Sequence, residues 1–162
     1  MKELTFIASD GKKLTCGLWD RVTRPVGVVQ IIHGMDEHIR RYDRFAKFLN
    51  TRGYIVFGDD HRAHGKTATS RAAIGTPDGD DDLFGATVMD ELEILQYLRE
   101  RFNMPVFLFG HSYGSFVTQS VISQTSAHSG VCLSGSAMYP RMAVMFANMV
   151  AAIGEKFKSP DA

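Results

Sequence analysis

The stretch Val106-Phe107-Leu108-Phe109-Gly110-His111-Ser112-Tyr113-Gly114 decides how this chain reads. Four consecutive apolar residues predict a buried strand, Gly-x-Ser-x-Gly closes it, and residues 113–124 continue with helical character. A strand that turns sharply into a helix at a serine is the setting in which this short motif carries a nucleophile; without that setting it is a weak signal. The glycines have a physical task, because a serine in a tight, strained turn leaves no room for Cβ atoms on the backbone beside it. Gly110 and Gly114 supply that room. The Ser112 hydroxyl is then expected above the C-terminal edge of a sheet, at the N-terminus of a helix whose free amides favour a developing oxyanion. The backbone amide of Tyr113 is expected to point at the same place.

Working outward, the flanking segments predict the sheet that such a turn needs. Leu4, Phe6 and Ala8 alternate with polar neighbours, Asp10-Gly11 supplies a turn, and Leu14, Cys16 and Leu18 resume the period of two, which predicts an antiparallel hairpin. Residues 26–32 form a nearly continuous apolar run, as in a strand covered on both faces. Tyr42, Phe45, Ala46, Phe48 and Leu49 then share a helical face that stops at Gly53, and residues 54–57 read as the next strand. A long polar loop leads to Asp80-Asp81-Asp82, with Asp82 or a neighbour as a helix cap. Phe84, Val88, Leu92, Leu95 and Phe102 line the following helix, which ends near Asn103. With a last strand at residues 131–134, the alternation predicts an α/β fold with a mostly parallel sheet and helices on both faces.

A second loop points to the same chemistry. His33-Gly34-Met35-Asp36-Glu37-His38 follows the strand at 26–32, where the second oxyanion donor of such a site is expected. Gly34 permits close backbone approach, and the amide of Met35 is the candidate to converge with that of Tyr113 on one carbonyl oxygen. Two separate loops thus agree on acyl transfer.

Composition narrows the alternatives. Lys plus Arg and Asp plus Glu number 18 each, and the basic residues are scattered, so no footprint for nucleic acid is present. Cys16 and Cys132 lack metal or disulfide spacing and read as reduced structural thiols. No apolar run reaches the length of a membrane span, and the N-terminus lacks a secretion-signal pattern, so a cytoplasmic location without an integral membrane segment is the expectation. His61-x-x-His64 with Asp59 and Asp60 lacks a third ligand motif, and the 80–82 acidic run lacks calcium-loop spacing. No metal or cofactor is therefore expected.

Three motifs in order, His33-Gly34-x-x-Glu37-His38-x-x-Arg41-Tyr42, Asp60-x-Arg62-x-His64-Gly65 and Gly110-His111-Ser112-x-Gly114, give the chain a family resemblance. To about Pro140 it resembles the monoacylglycerol lipases and bacterial lysophospholipases, serine hydrolases of the α/β-hydrolase fold. The resemblance implies Ser112 as nucleophile, Met35 and Tyr113 as oxyanion donors, a single-chain acyl ester as the small-molecule substrate, and a loop-ordering role for His33 and His38. Asp36 stands where the family often has Gly, Ala63 replaces the usual Gly of Arg-Gly-His-Gly, and Ser115 stands where a second Gly is frequent. These departures leave the catalytic atoms in place and weaken the transfer of substrate.

A serine needs a histidine to take its proton and a carboxylate to orient that histidine, in the chain order Ser, Asp or Glu, His for this fold. After Ser112 come Glu155, Asp161 and His128, in the wrong order. A helix leaving the turn would carry His128 roughly 20 Å away. Residues 1–140 are accordingly read as the N-terminal part of the α/β-hydrolase core, with the C-terminal strands and most of the cap missing. Residues 141–162, with Met142, Met145, Phe146, Met149, Val150 and Ile153 at helical spacing, are read as the start of a cap or lid helix. The chain is expected to need its C-terminal portion or an oligomeric partner and to be inactive alone; the competing reading is a non-catalytic acyl-binding or interaction module.

Overall fold

Six strands form one sheet in the order β1-β2-β4-β3-β5-β6 in a computed structural model that describes residues 1–70, 73–74 and 82–137. The strands are β1 (Lys2–Ile7), β2 (Lys13–Trp19), β3 (Gly27–Ile32), β4 (Tyr54–Asp59), β5 (Val106–His111) and β6 (Gly130–Ser134). The expected hairpin is present: β1 and β2 pair antiparallel, with Leu4 opposite Cys16 and Phe6 opposite Leu14. β2 pairs antiparallel with β4, and β3, β4, β5 and β6 run parallel to their neighbours.

The helices α1 (Asp43–Thr51), α2 (Leu83–Phe102) and α3 (Tyr113–Gln124) cover both faces. On one face Val88, Ile94, Leu95 and Leu98 of α2 and Val117 and Val121 of α3 pack on Leu14, Leu18, Val28, Ile32, Phe57 and Leu108. On the other, Ala46 of α1 lies among Trp19, Val29, Ile31 and Val56. A parallel sheet needs both covers, because its strands carry apolar residues on both sides. The α2 cap is Asp82, whose side chain accepts from the Gly85 amide at 2.8 Å. Asn103 ends that helix at φ 49°.

Three differences from the sequence expectations matter. β4 continues two residues past Phe57 into Gly58-Asp59, where Asp59 is paired with Cys16 and fully buried. Phe48 faces solvent under the Arg52 guanidinium, because Tyr42, Phe45, Ala46 and Leu49 already fill the inward stripe. Val131 and Leu133 on β6 are more than a third exposed, and β6 forms one edge of the sheet among the described residues. The cap or lid helix expected over residues 141–162 lies outside the described residues. Among those described, no helix is long and apolar enough to cross a membrane.

Candidate active site

Ser112 stands between the last residue of β5 and the first of α3, at φ 52° and ψ −119°. A positive φ on a non-glycine residue is strained, and the neighbours hold it by its backbone. The Ser112 amide donates to the Ser134 carbonyl at 2.9 Å, and its carbonyl accepts from the Ser115 amide at 2.9 Å and the Ser115 hydroxyl at 2.6 Å. Its side chain makes no cap bond to α3 and the residue is exposed. The Ser115 hydroxyl, at one of the departures from the family pattern, is thus part of the turn.

The glycine requirement is severe. A Cβ on Gly114 would lie 2.1 Å from the Ile32 carbonyl oxygen and 2.5 Å from that of His33, and one on Gly110 would lie 2.2 Å from Thr118 Oγ1. These contacts pack the turn against the end of β3, where the second predicted loop begins.

That loop does meet the turn. A Cβ built on Gly34 would lie 3.3 Å from the Ser112 Cβ, so the backbone before Met35 runs directly beside the serine. Met35 itself is 49% exposed, and Asp36 follows at φ 57°. Glu37 fixes the loop from within: its Oε2 accepts from the Gly34 amide at 3.1 Å and the Tyr42 hydroxyl at 2.7 Å, and Oε1 lies 3.3 Å from Arg41 Nε. Burial pushes the Glu37 carboxyl up, but these donors outweigh it and hold its pKa below the ordinary value. Burial and the bond to Glu37 both raise the Tyr42 phenol. A cleft of about 330 Å³ opens beside this network, lined by Glu37, Arg41, Tyr42, Phe45, Phe109 and His111. The larger cavity, about 650 Å³, adjoins Val106, His128 and Ser129 at the opposite end of β5. It has no part in the site.

The histidines are placed as follows. His33 Nδ1 lies 2.8 Å from the Gly34 carbonyl, which only accepts, so Nδ1 carries the proton and Nε2 accepts from the His61 amide at 3.1 Å. Burial, followed by the neighbouring His61, lowers its pKa well below the ordinary value and keeps it neutral. His64 Nδ1 donates to the Arg62 carbonyl at 2.8 Å, and His111 Nδ1 lies 3.2 Å from Ser134 Oγ. His128 sits near the start of β5, about 20 Å along the strand from Ser112. His38 precedes the 3₁₀ turn Ile39–Tyr42 and is exposed.

The segment after β4 is built differently. Asp60 is buried and accepts from the amides of Ile39 at 2.8 Å and Lys66 at 2.7 Å. Arg62 grips Asp90 with Nε and Nη2 at 2.7 and 2.8 Å and reaches Asp10 at 2.6 Å. Ala63, at φ 59°, occupies a left-handed position, as Asp36 does; both departures from the family's glycine therefore fall where glycine is least strained. Beneath lie Asp59, His61 and Glu91, all fully buried. His61 Nδ1 is 3.1 Å from Asp59 Oδ2 and 3.2 Å from Glu91 Oε1. Burial opposes charge on His61, yet the two carboxylates outweigh it and raise its pKa, while burial and then Asp59 raise Glu91. Sequence reasoning missed Asp90 and Glu91. The available signal was position: Glu91 stands in the inward stripe with Val88, Leu95 and Leu98.

With this geometry in view, the likeness to known proteins is specific. The family model described as "Serine aminopeptidase, S33" (Hydrolase_4) matches residues 23–160. The chain belongs to this hydrolase family. Within it, the chain is similar to the monoglyceride lipase of Mus musculus, 29% identical over 128 residues that cover 78% of this chain and 40% of that protein. The monkeypox virus protein named "Monoglyceride lipase homolog" is 33% identical over 110 residues, covering 67% and 37%. Among solved structures, a thermostable carboxyl esterase from Bacillus coagulans, in complex with glycerol, superposes with a TM-score of 0.77 and 30% identity, covering 96% of this chain and 51% of that one. The α/β-hydrolase fold and the monoglyceride lipase-like character follow for this family member. The chain spans about two fifths of the length of the curated relatives it matches.

Proposed function

We propose that this family member is a serine hydrolase of carboxylic esters, acting on single-chain lipids of the monoacylglycerol or lysophospholipid type. The observation that carries the reading is the exposed Ser112 at φ 52° between β5 and α3, with Gly34 of the second loop against it. The names of the similar lipase and esterase support the substrate class.

In this reading Ser112 Oγ forms a bond to the ester carbonyl carbon as its proton passes to a histidine. The carbonyl oxygen becomes an oxyanion, held by the amides of Met35 and Tyr113. Collapse breaks the bond to the alcohol, which takes the proton and leaves an acyl group on Ser112. Water then attacks the acyl carbon as it gives a proton to the same histidine, and the bond to Ser112 Oγ breaks as that proton passes to Oγ, releasing the fatty acid and restoring the serine. The proton acceptor and its carboxylate are assigned to chain beyond residue 162, because His33, His61, His64 and His111 are held by other partners, His128 lies at the far end of β5, and the exposed His38 is given the loop-ordering role that the family resemblance implies. Residues 1–140 act as the nucleophile-bearing part of the core and residues 141–162 as the start of a lid, with the C-terminal portion or an oligomeric partner completing the site.

The same engagement of the histidines favours a second reading, an acyl-binding or interaction module without turnover. A fluorophosphonate probe separates the two. The hydrolase reading expects labelling that is lost in Ser112→Ala and that appears once the C-terminal portion of the fold is supplied. Absence of Ser112-dependent labelling in the completed protein sinks it.

A further inference from the structure

Asp59 ends β4, His61 lies two residues on, and Glu91 comes down from the middle of α2; none of the three has any exposure to solvent. Both nitrogens of the His61 ring face acceptors. Nδ1 lies 3.1 Å from Asp59 Oδ2 and Nε2 lies 3.2 Å from the His33 carbonyl oxygen, so both carry protons and the ring is an imidazolium. It is the positive member of the cluster, and it stands against two carboxyl groups.

Among the described residues, the elements packed around the cluster bring it no second cation. From β2, Cys16 lies opposite Asp59, and burial pushes its thiol up and keeps it neutral. From β3, Gln30 is an uncharged amide, and burial holds His33 neutral. After β4, Asp60 accepts from the Ile39 and Lys66 amides, Arg62 is committed to Asp90 and Asp10, and His64 turns Nδ1 to the Arg62 carbonyl. From α3, the Tyr113 ring lies 6.3 Å from that of His61, and burial raises its phenol.

Two ionised carboxylates would therefore leave one uncompensated negative charge where no water reaches, which is costly. One proton removes it. Asp59 is the ionised member, because its Oδ2 takes the His61 proton. Glu91 is the member that stores the proton. Its Oε1, though 3.2 Å from His61 Nδ1, is buried without a hydrogen-bond partner, as is Asp59 Oδ1. The two carboxyl groups are in side-chain contact, so a proton on Glu91 turns an idle acceptor into a donor toward Asp59. Glu91 Oε2 meanwhile keeps the bond from Gln30 Nε2 at 2.6 Å. Burial first, and then Asp59, raise the Glu91 pKa, in agreement with this count.

We propose that Asp59, His61 and Glu91 form a proton-gated latch between α2 and the sheet, with Glu91 stored as the neutral acid. In alkaline solution Glu91 gives its proton to hydroxide or buffer, leaving two carboxylates and one imidazolium. The net buried charge then favours entry of water between α2 and the end of β4. The paired bonds between His61 and His33 carry the change to the end of β3, from which the loop beside Ser112 departs. The latch does not depend on the ester-hydrolase reading, and its test uses no activity assay.

Because the folded pKa of Glu91 is raised, its stabilisation is fully present below the ordinary 4.5 and is lost as pH rises through the folded value of about 8. Glu91→Gln stays neutral at every pH and holds the latch closed. In thermal melts of the chain, the Tm of Glu91→Gln is expected to gain on wild type by at least roughly 5 °C between pH of about 5 and about 9, and to level off above that range. Glu100→Gln, at an exposed position of the same helix, should show no such drift. In isotope-edited NMR of the glutamate carboxyls, the signal missing from Glu91→Gln should hold the position of a protonated acid at neutral pH. Hydrogen exchange at the Gly34 amide, corrected for its intrinsic rate, should lose protection at least roughly tenfold in wild type from neutral pH to about 9 and keep it in Glu91→Gln. Should the variant fail to fold, the wild-type NMR signal and exchange rates still decide. A Glu91 carboxyl that titrates in the ordinary acid range, a Tm gap equal at both ends of the pH range, or unchanged Gly34 protection in wild type overturns the proposal.

Discussion

Two turns at the same edge of the sheet put polar residues to opposite uses. Both the β5–α3 turn and the segment after β4 contain a non-glycine residue at positive φ, Ser112 at 52° and Ala63 at 59°. At the first turn the backbone is bonded on both sides of Ser112 and the side chain is left exposed. At the second, Asp60, His61, Arg62 and His64 are all buried, and the strained residue is an alanine with no chemistry to offer. Strain with an exposed polar side chain suits a reacting group, whereas strain beneath buried charge suits a clamp. The family motifs hold both patterns side by side, and burial separates them.

The largest effect that would sharpen this contrast is expected at the clamp. Arg62→Ala leaves the Asp90 carboxylate, 2% exposed, without its bidentate partner, and should destabilise the chain by about 3–5 kcal/mol in denaturant unfolding. The Ser112 turn does not use Arg62, so probe labelling per folded molecule of the completed protein should persist. An unchanged unfolding midpoint would break the contrast from this side.

A smaller effect is expected at the loop facing Ser112. Glu37→Gln keeps the shape but replaces charged acceptors for Gly34, Tyr42 and Arg41, at a cost of about 1 kcal/mol. The sign with pH follows from a folded pKa held below the ordinary 4.5. The stabilisation is fully present above that value and is lost as pH falls through the lower, folded value. The Tm gap between wild type and Glu37→Gln should therefore be constant from neutral pH down to about 5 and close in more acidic solution. A gap that widens on acidification would contradict the assignment.

The smallest effect concerns the strained alanine. Ala63→Gly relieves about 1–2 kcal/mol of left-handed strain and adds up to about 1 kcal/mol of unfolded-chain entropy, for a net gain of roughly 0.5 kcal/mol. A loss of stability would mean that the Ala63 methyl, 4% exposed, contributes more by packing than its backbone costs.

What the sequence made legible follows the same division. Apolar periodicity located α3 at its observed limits and β3, β5 and β6 to within two residues at either end, because those elements bury side chains in a regular pattern. The turn at Ser112 was legible because strand, glycines and helix are local. Strand order was not, since the placing of β4 between β2 and β3 depends on pairings between distant segments. The Asp59, His61 and Glu91 cluster was hidden for a related reason. Glu91 follows His61 by 30 residues, and although it stands in the inward stripe of α2, only the docking of that helix on the sheet brings it to the end of β4. Phe48 erred in the other direction, an apolar residue one position off the inward stripe of α1.

The central claim is that Ser112 accepts the acyl group. It is tested most directly by quenching the completed protein in acid during turnover of a monoacylglycerol and weighing the peptide that carries Ser112. The account predicts a mass increase equal to the acyl group minus one hydrogen, absent in Ser112→Ala. Ester turnover in the Ser112→Ala protein at the wild-type rate would contradict it.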